Sequence, residues 1–318
     1  MNRTSGSGTG KYERLLVRCK SLDAVPTAVA YPCEQTALEG AIEAGQEGLI
    51  EPILVGPVEK IAGIAKSSGI DLGRTQVIDA ADGRAAAAKA VELVRQGKAE
   101  LLMKGSLHTD ELLAAVVARE TGLRGGRRIS HVFIMDVPTY HKVLIVTDAA
   151  INIAPTLEDK VDICQNAIDL AIALGLEQPK VAILAAVEMV NSKMPATLDA
   201  AALCKMAERG QITGGLLDGP LAFDNAINKQ AAETKGIRSE VAGDPDILVA
   251  PDLEAANILA KLLSFLANAD SAGLVLGARV PIILTSRADS VRSRIASCGV
   301  AMLAAHARRK KFLEAHHG

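Results

Sequence analysis

Residues 281–290 read PIILTSRADS, an apolar strand that runs directly into a hydroxyl, a guanidinium and a carboxylate before a long helix. Side chains at the carboxyl end of such a strand project into the crevice where open α/β sheets bind ligands. Arg287 can hold two oxygens of a phosphate, Ser286 can donate a hydrogen bond and Asp289 can accept a proton. This stretch therefore predicts an α/β sheet and a site for an anionic substrate.

A second segment repeats this design. Residues 101–110 read LLMKGSLHTD, again an apolar strand, a polar tip and the start of a helix. Two such tips in one chain favour a shared anion site. Lys104 and His108 also have a simpler interpretation, because a lysine at a strand tip is often solvated and a histidine at a helix start often bonds only the backbone.

The composition is that of a globular α/β protein. The chain has 318 residues, 49% of them hydrophobic and 23% charged, and its net charge of -2 gives no general attraction for nucleic acid. Aromatic residues make up only 2%, and tryptophan is absent. Small aliphatic side chains must therefore form the core, as is typical of parallel sheets covered by helices on both faces.

The cysteine pattern and the hydropathy of the sequence predict a cytoplasmic protein that does not insert into a membrane. The five cysteines are dispersed without CxxC spacing, which argues against a disulfide framework and a structural zinc site. No apolar run reaches the ~18 residues needed to cross a bilayer. Residues 1–10 lack the apolar core of a secretory signal.

Short apolar runs alternate with helical stretches along the chain, which predicts a mostly parallel sheet. One adjacent pair, 130–135 and 142–147, is joined by too few residues for a crossover helix and should pair antiparallel. The glycine- and arginine-rich residues 122–128 read as a flexible joint between two domains. The expected domains are residues 1–128 plus 272–318, with a disordered tail over 1–11, and residues 129–271. The predicted strands are 26–31, 52–55, 75–79, 99–104, 130–135, 142–147, 180–186, 214–218, 246–250, 272–276 and 281–286.

Aspartates follow several of these strands, among them Asp148, Asp218 and Asp224. Carboxylates at strand ends can in principle hold a divalent ion. Turn formation and helix capping explain each one singly, since aspartate favours those positions. The histidines show no pair at metal spacing and no GxGxxG follows a strand, so no metal site is predicted and an ordinary dinucleotide dehydrogenase is disfavoured.

Five ordered strings resemble the phosphate acetyl/butyryltransferase (phosphotransacetylase) family, over about residues 25 to 307. The resemblance implies conversion of acyl-CoA and phosphate into acyl phosphate and CoA, reversibly and without an organic cofactor. It also implies two α/β domains of the isocitrate/isopropylmalate dehydrogenase type with a cleft between them, and a homodimer formed through the second domain. The strings are 103–109 (MKGSLHT), 148–152 (DAAIN), 218–224 (DGPLAFD), 251–257 (PDLEAAN) and 284–290 (LTSRADS).

These implications suggest direct attack within a ternary complex. We expect Arg287 to hold phosphate, Ser286 to donate a hydrogen bond to the developing oxyanion, and Asp289 to accept the thiol proton of CoA. The residues predicted to bind substrate around them are Lys104, Ser106, His108, Thr109, Asp148, Asn152 and Asp218.

Two departures from the acetyl-type pattern leave the acyl group open between acetyl and butyryl. Residues 111–114 read ELLA where acetyl-type members have an arginine, and Ser293 stands where they have a carboxylate. The string TSRADS looks more like the butyryltransferase branch.

Three alternatives stand beside this function: a metal- and NAD-dependent dehydrogenase of the same fold, a related acyl-ACP phosphate acyltransferase, and a non-catalytic acyl-CoA or acyl phosphate sensor.

Overall fold

A computed structural model describes residues 10–286 and 289–317. Arg287, a predicted catalytic residue, lies outside them, as do residues 1–9 of the predicted tail. The chain divides into two compact units. The first unit contains the described residues up to Arg127 and those from Ala272 onward, and the second unit is Arg128–Ser271.

Strands and helices alternate along the chain, as the sequence predicts. In chain order the strands of the described residues are β1 Val25–Ala30, β2 Ile50–Val55, β3 Gln76–Ile78, β4 Leu101–Lys104, β5 Ser130–Asp136, β6 Leu144–Thr147, β7 Lys180–Leu184, β8 Leu216–Leu221, β9 Ile247–Val249, β10 Asp270–Leu276 and β11 Ile282–Ile283. The helices are α1 Lys11–Cys19, α2 Gln35–Gln46, α3 Val58–Ser68, α4 Gly83–Arg95, α5 Thr109–Val117, α6 Leu157–Ala173, α7 Pro195–Glu208, α8 Phe223–Ile227, α9 Lys229–Thr234, α10 Leu253–Phe265 and α11 Val291–His317.

The sheet of the first unit has the strand order β3-β2-β1-β4-β11-β10. Its first five strands run parallel, and β10 runs antiparallel to β11. The central strands are almost wholly buried, with Leu102, Met103 and Ile283 at 0% exposure. Because β1, β4 and β11 are parallel neighbours, their carboxyl ends lie at the same edge of the sheet.

The sheet of the second unit has the order β5-β6-β9-β7-β8. The predicted antiparallel pair is confirmed, since Phe133 of β5 lies opposite Val146 of β6. The remaining pairs are parallel. Buried aliphatic side chains from these strands and from α8, α9 and α10 form one core cluster that includes Met135, Leu248 and Ala256. No helix among the described residues is both long and apolar enough to span a bilayer.

The predicted end of one strand at Asp218 is wrong. Strand β8 continues through Asp218, Gly219 and Pro220, and its register with β7 shifts between Ala182 and Leu184. A proline is tolerated there because β8 is an edge strand, where a missing N–H need not break a ladder. A Cβ on Gly219 would lie 2.7 Å from the carbonyl oxygen of Ile183, so only glycine fits this close approach.

Helix boundaries also depart from expectation at both ends of the chain. Lys11, which the sequence places in the tail, begins α1 and is buried. Helix α11 runs to His317, beyond the helical stretch 288–307 that the sequence predicts. There Arg309 donates hydrogen bonds to both carboxylate oxygens of Glu100, at 2.7 and 2.6 Å, which anchors the extension in a way that an apolar pattern cannot reveal.

Candidate functional site

Three loops of the first unit leave its sheet at one edge. The register places Ala30 of β1 opposite Lys104 of β4, and Met103 opposite Ile283 of β11, so the residues that follow these strands are neighbours. Helices α2, α5 and α11 begin at this edge. The N–H groups of their first turns and their dipoles favour negative charge. The edge is therefore electrostatically suited to a phosphate or another anion.

The loop after β4 is built around a close approach to β1. The Ser106 hydroxyl donates to the carbonyl oxygen of Tyr31 at 2.9 Å and accepts the Cys33 N–H at 3.1 Å. A Cβ on Gly105 would lie 2.4 Å from that same Tyr31 oxygen. Tyr31 itself has a positive φ of 55°. The observed bonds of Ser106 thus join two loops.

The other predicted residues of this loop differ in their surroundings. Lys104 is only 4% exposed, and its Nζ donates to the carbonyl oxygens of Leu107 and Gly105, at 3.2 and 3.3 Å. His108 is exposed and precedes α5, where its N–H donates to Glu111 Oε2 at 3.3 Å. Thr109 is the first residue of α5 and is half-buried. Lys104 therefore brings a buried positive charge to the edge, while His108 faces solvent.

Ser286 and Asp289 are joined by hydrogen bonds after β11. Asp289 Oδ2 accepts the Ser286 N–H at 2.6 Å, and the Asp289 N–H donates to the Ser286 carbonyl oxygen at 3.2 Å. The Ser286 residue is exposed. The structure thus brings together two of the three predicted catalytic residues. The third, Arg287, stays a prediction from the sequence.

Asp289 has the electrostatic surroundings of a proton acceptor. Burial raises its pKa above the usual carboxyl value, while the Ser286 N–H and the charges of Arg294 and Lys104 act in the opposite direction. A carboxylate with a raised pKa is a better base near neutral pH than an ordinary one.

Arg294 is the residue of this region that the motif analysis missed. It is 2% exposed, and its Nη1 donates to Thr285 Oγ1 at 2.7 Å while its Nη2 donates to the Ser286 carbonyl oxygen at 3.0 Å. The sequence does contain a signal for it. Arg294 falls at helical spacing with Cys298 and Ala301 on the buried face of α11, and a charge on such a face needs a partner.

Asp148 and Asn152 organise a loop of the second unit. Asn152 Nδ2 donates to the carboxylate of Asp148 and to the carbonyl oxygen of Ile129, and its Oδ1 accepts from Arg128 Nε at 2.7 Å. Both residues are buried. These contacts explain them structurally, and their role in substrate binding stays a prediction. The Asp148 carboxylate also accepts the backbone N–H groups of His131, Ala150, Ile151 and Asn152, at 3.1 to 3.2 Å.

Asp218 is half-buried and lies within β8, where its Oδ1 accepts the N–H of Gly219 at 2.8 Å. This hydrogen bond supports the bulge at the edge of the sheet. Its predicted role in substrate binding is likewise untested by the geometry.

Comparison with known proteins identifies the family to which this chain is similar. The family model described as "Phosphate acetyl/butaryl transferase" matches residues 82–304. A phosphate acetyltransferase from Rhizobium meliloti is 63% identical over 94% of this chain and 95% of its own length. A phosphate butyryltransferase from Clostridium acetobutylicum is 40% identical over 92% of this chain and 98% of its own length.

Solved structures agree with the fold. A branched-chain phosphotransacylase from Enterococcus faecalis V583 has a TM-score of 0.75 and 30% identity, and covers 89% of this chain and 99% of that one. A 4-hydroxythreonine-4-phosphate dehydrogenase from Klebsiella pneumoniae has a TM-score of 0.52 at 14% identity, covering 89% and 100%, and this likeness concerns the fold alone. The predicted dehydrogenase-like α/β fold is confirmed.

The match of residues 82–304 and the identity across nearly the whole chain define an acyltransferase of α/β fold. The chain belongs to the phosphate acetyl/butaryl transferase family.

The backbone of Tyr31 lies too close to Gly105 to leave room for a side chain there. Gly105→Ala should destabilise the fold by about 1–3 kcal/mol, because its methyl group meets backbone atoms that cannot move independently. Gly63→Ala is the matched control, since a Cβ at this position in α3 meets nothing within 4 Å. The control should gain about 0.5–1 kcal/mol from helix propensity. Urea denaturation measures both changes, and equal stability of the two variants would contradict the packing described.

Proposed function

We propose that this protein transfers an acyl group between coenzyme A and inorganic phosphate, forming acyl phosphate and free CoA in a reversible reaction. One observation carries the proposal: in a member of this family, Ser286 and Asp289 form a hydrogen-bonded pair at the carboxyl end of β11, beside the buried charges of Arg294 and Lys104. A donor and an acceptor of protons beside positive charge suit the addition of an anion to a thioester.

The acyl group that we propose is acetyl. The relative at 63% identity is a phosphate acetyltransferase, whereas the phosphate butyryltransferases from two Clostridium species are 40% and 42% identical. This difference outweighs the likeness of residues 285–290 to the butyryl branch, because the identity extends over nearly the whole chain.

The proposed mechanism is direct attack within a ternary complex. A phosphate oxygen adds to the thioester carbonyl, and the tetrahedral oxyanion then collapses and expels the CoA thiolate. Ser286 donates a hydrogen bond to the oxyanion, and Arg287 holds phosphate. Asp289 takes the proton of the attacking hydrogen phosphate and returns it to the leaving thiolate. In the reverse direction it takes the proton from CoA, where a thiol pKa near 8.5 makes the transfer useful.

The remaining parts of the proposal follow from this chemistry. Lys104 supplies positive potential, and His108 and Thr109 line the acyl or phosphate pocket, with Ser106 holding their loop in place. Acyl transfer from a thioester to phosphate is not a redox reaction, so we propose that CoA serves as a substrate and that no organic cofactor takes part.

We also propose a cytoplasmic location, which agrees with cysteines that are all free in the described chain.

The decisive experiment measures CoA release from acetyl-, propionyl- and butyryl-CoA with and without phosphate. We expect phosphate-dependent release and a preference for acetyl-CoA of at least tenfold in kcat/KM, which corresponds to ~1.4 kcal/mol of transition-state binding. CoA binding without turnover would instead favour a sensor. A thermal shift with Mg²⁺ and NAD, in the absence of transferase activity, would favour a dehydrogenase.

Substitutions at the paired residues give a sharper test. Ser286→Ala should lower kcat by about 100-fold or more, through loss of ~3 kcal/mol of oxyanion stabilisation. Asp289→Asn should abolish the fall in kcat/KM at acid pH, because that fall reports protonation of Asp289. With a raised pKa, the wild-type fall should lie above the value of ~3.9 that is usual for aspartate.

Asp110→Asn is the control for these substitutions, since Asp110 is exposed in the first turn of α5. It should retain the wild-type rate and pH profile. An unchanged acid limb in Asp289→Asn would remove Asp289 from the role of base.

We also propose that the protein forms a homodimer through α10 of the second unit. Ile258, Leu262, Phe265 and Leu266 lie at helical spacing on one face and are 65%, 46%, 71% and 78% exposed. An apolar face of this kind is typical of a protein interface. A second copy of the chain fits it, because a twofold interface brings identical apolar faces together.

Replacing Leu262 and Phe265 together by glutamate should give a monomer, because four desolvated carboxylates would face one another in the dimer. Sedimentation velocity measures this change. Val17→Glu is the control, because Val17 is 63% exposed on α1 of the first unit. A wild type that sediments as a monomer at micromolar concentration would refute the proposed dimer.

A further inference from the structure

We infer that Arg294 is a positioning residue for the acyl transfer proposed above, on which this inference rests. Its guanidinium fixes the peptide of Ser286 from the interior of the first unit, through hydrogen bonds to Thr285 and to the Ser286 carbonyl oxygen.

The peptide groups of Ser286 are held from two directions. Asp289 accepts its N–H at 2.6 Å, and Arg294 Nη2 donates to its carbonyl oxygen at 3.0 Å. Arg294 Nη1 reaches Thr285 Oγ1 at 2.7 Å, one residue earlier. The rigid fork of one guanidinium therefore spans two consecutive residues at the end of β11. Because the backbone of Ser286 is fixed on both sides, the direction in which its side chain leaves the backbone is fixed as well.

Helix α2 leaves room for the arginine. Gly40 of α2 faces Arg294, and a Cβ there would lie 2.7 Å from Arg294 Cδ and 3.1 Å from its Cβ. Gly40 lies inside the helix, where glycine is less favourable than alanine. Gly40 and Arg294 therefore form a matched pair, in which the missing side chain of one accommodates the long side chain of the other.

Stability alone does not explain an arginine at this position. Arg294 is 2% exposed, and its Nε has no hydrogen-bond partner among the described residues. A buried charge with an incomplete set of hydrogen bonds is expensive, and apolar residues of similar volume often replace buried ion pairs without loss. The geometry that Arg294 imposes on Ser286 supplies a reason for keeping the charge.

The burial of Arg294 also separates its role from substrate binding. A side chain at 2% exposure acts through Thr285 and Ser286. Its loss should therefore misplace the oxyanion donor and lower kcat, while leaving the KM for acetyl-CoA nearly unchanged.

The test compares Arg294→Lys, Arg294→Met and Gly40→Ala with the wild type by kcat, KM and melting temperature. Lysine keeps the charge but loses the fork, and an alanine at position 40 displaces the arginine stem without changing any charge. We expect kcat to fall at least tenfold in all three variants, with the KM for acetyl-CoA within twofold of wild type. Arg292→Met, at a half-buried position on the same helix where the arginine pairs with Glu13, is the control and should keep the wild-type kcat.

The pH profile separates geometry from charge. Arg294 and Lys104 are the cations that oppose the raised pKa of Asp289. Arg294→Met removes one of them, so its acid limb in kcat/KM should move to higher pH, whereas Arg294→Lys should leave the limb in place. The fall in kcat that Arg294→Lys shows without a shift of the acid limb then reports the lost geometry of Ser286 and not a changed charge beside Asp289.

Three results decide the matter. A wild type without phosphate-dependent CoA release refutes the proposed function itself. An active wild type with wild-type kcat in Arg294→Lys and Gly40→Ala refutes only the role of Arg294. A loss of kcat that tracks a fall in melting temperature, or a matching rise in KM, also overturns that role, and Arg294→Lys and Gly40→Ala decide this even if Arg294→Met does not fold.

Discussion

The parallel pairing of β4 with β1 and with β11 is the constraint on which the candidate site depends. It places three loops and the starts of three helices at one edge of the first unit. The tight contact of Gly105 with the Tyr31 carbonyl oxygen then fixes the distance between two of those loops. Chemistry that needs several groups within a few ångströms becomes possible because the strand register, and not any flexible segment, sets their spacing.

Much of the architecture follows from hydrophobic patterning. Every predicted strand is present, and the short connection after Asp136 correctly indicates the antiparallel pair β5 and β6. Hydrophobic patterning failed to predict the structure where the local sequence favours a turn but the position in the sheet accommodates a strand. Gly219 and Pro220 read as a turn, yet an edge position in the sheet accommodates both, and the short helices α8 and α9 that follow carry too few residues to show a period.

The sequence predicted the site residues that directly follow a strand, but it did not reveal the one that lies on the buried face of a helix. Ser286 and Asp289 are close in sequence and form the expected pair. Arg294 escaped motif reasoning because its partners are fixed by the packing of α11 on α2, which no local string records. Conversely, Asp148 and Asn152 match the family string, but their hydrogen bonds form a loop scaffold of the second unit.

The contact between Gly40 and Arg294 restricts the order in which this protein can change during evolution. A side chain gained at position 40 displaces the arginine stem that occupies the space beside it, so a shorter residue 294 makes that gain less costly. Substitutions at the two positions should then appear as correlated pairs among descendants, although they are far apart in the chain. An alignment would register this dependence as covariation between a position inside α2 and a position in α11, the helix that supports the acyl-transfer loop.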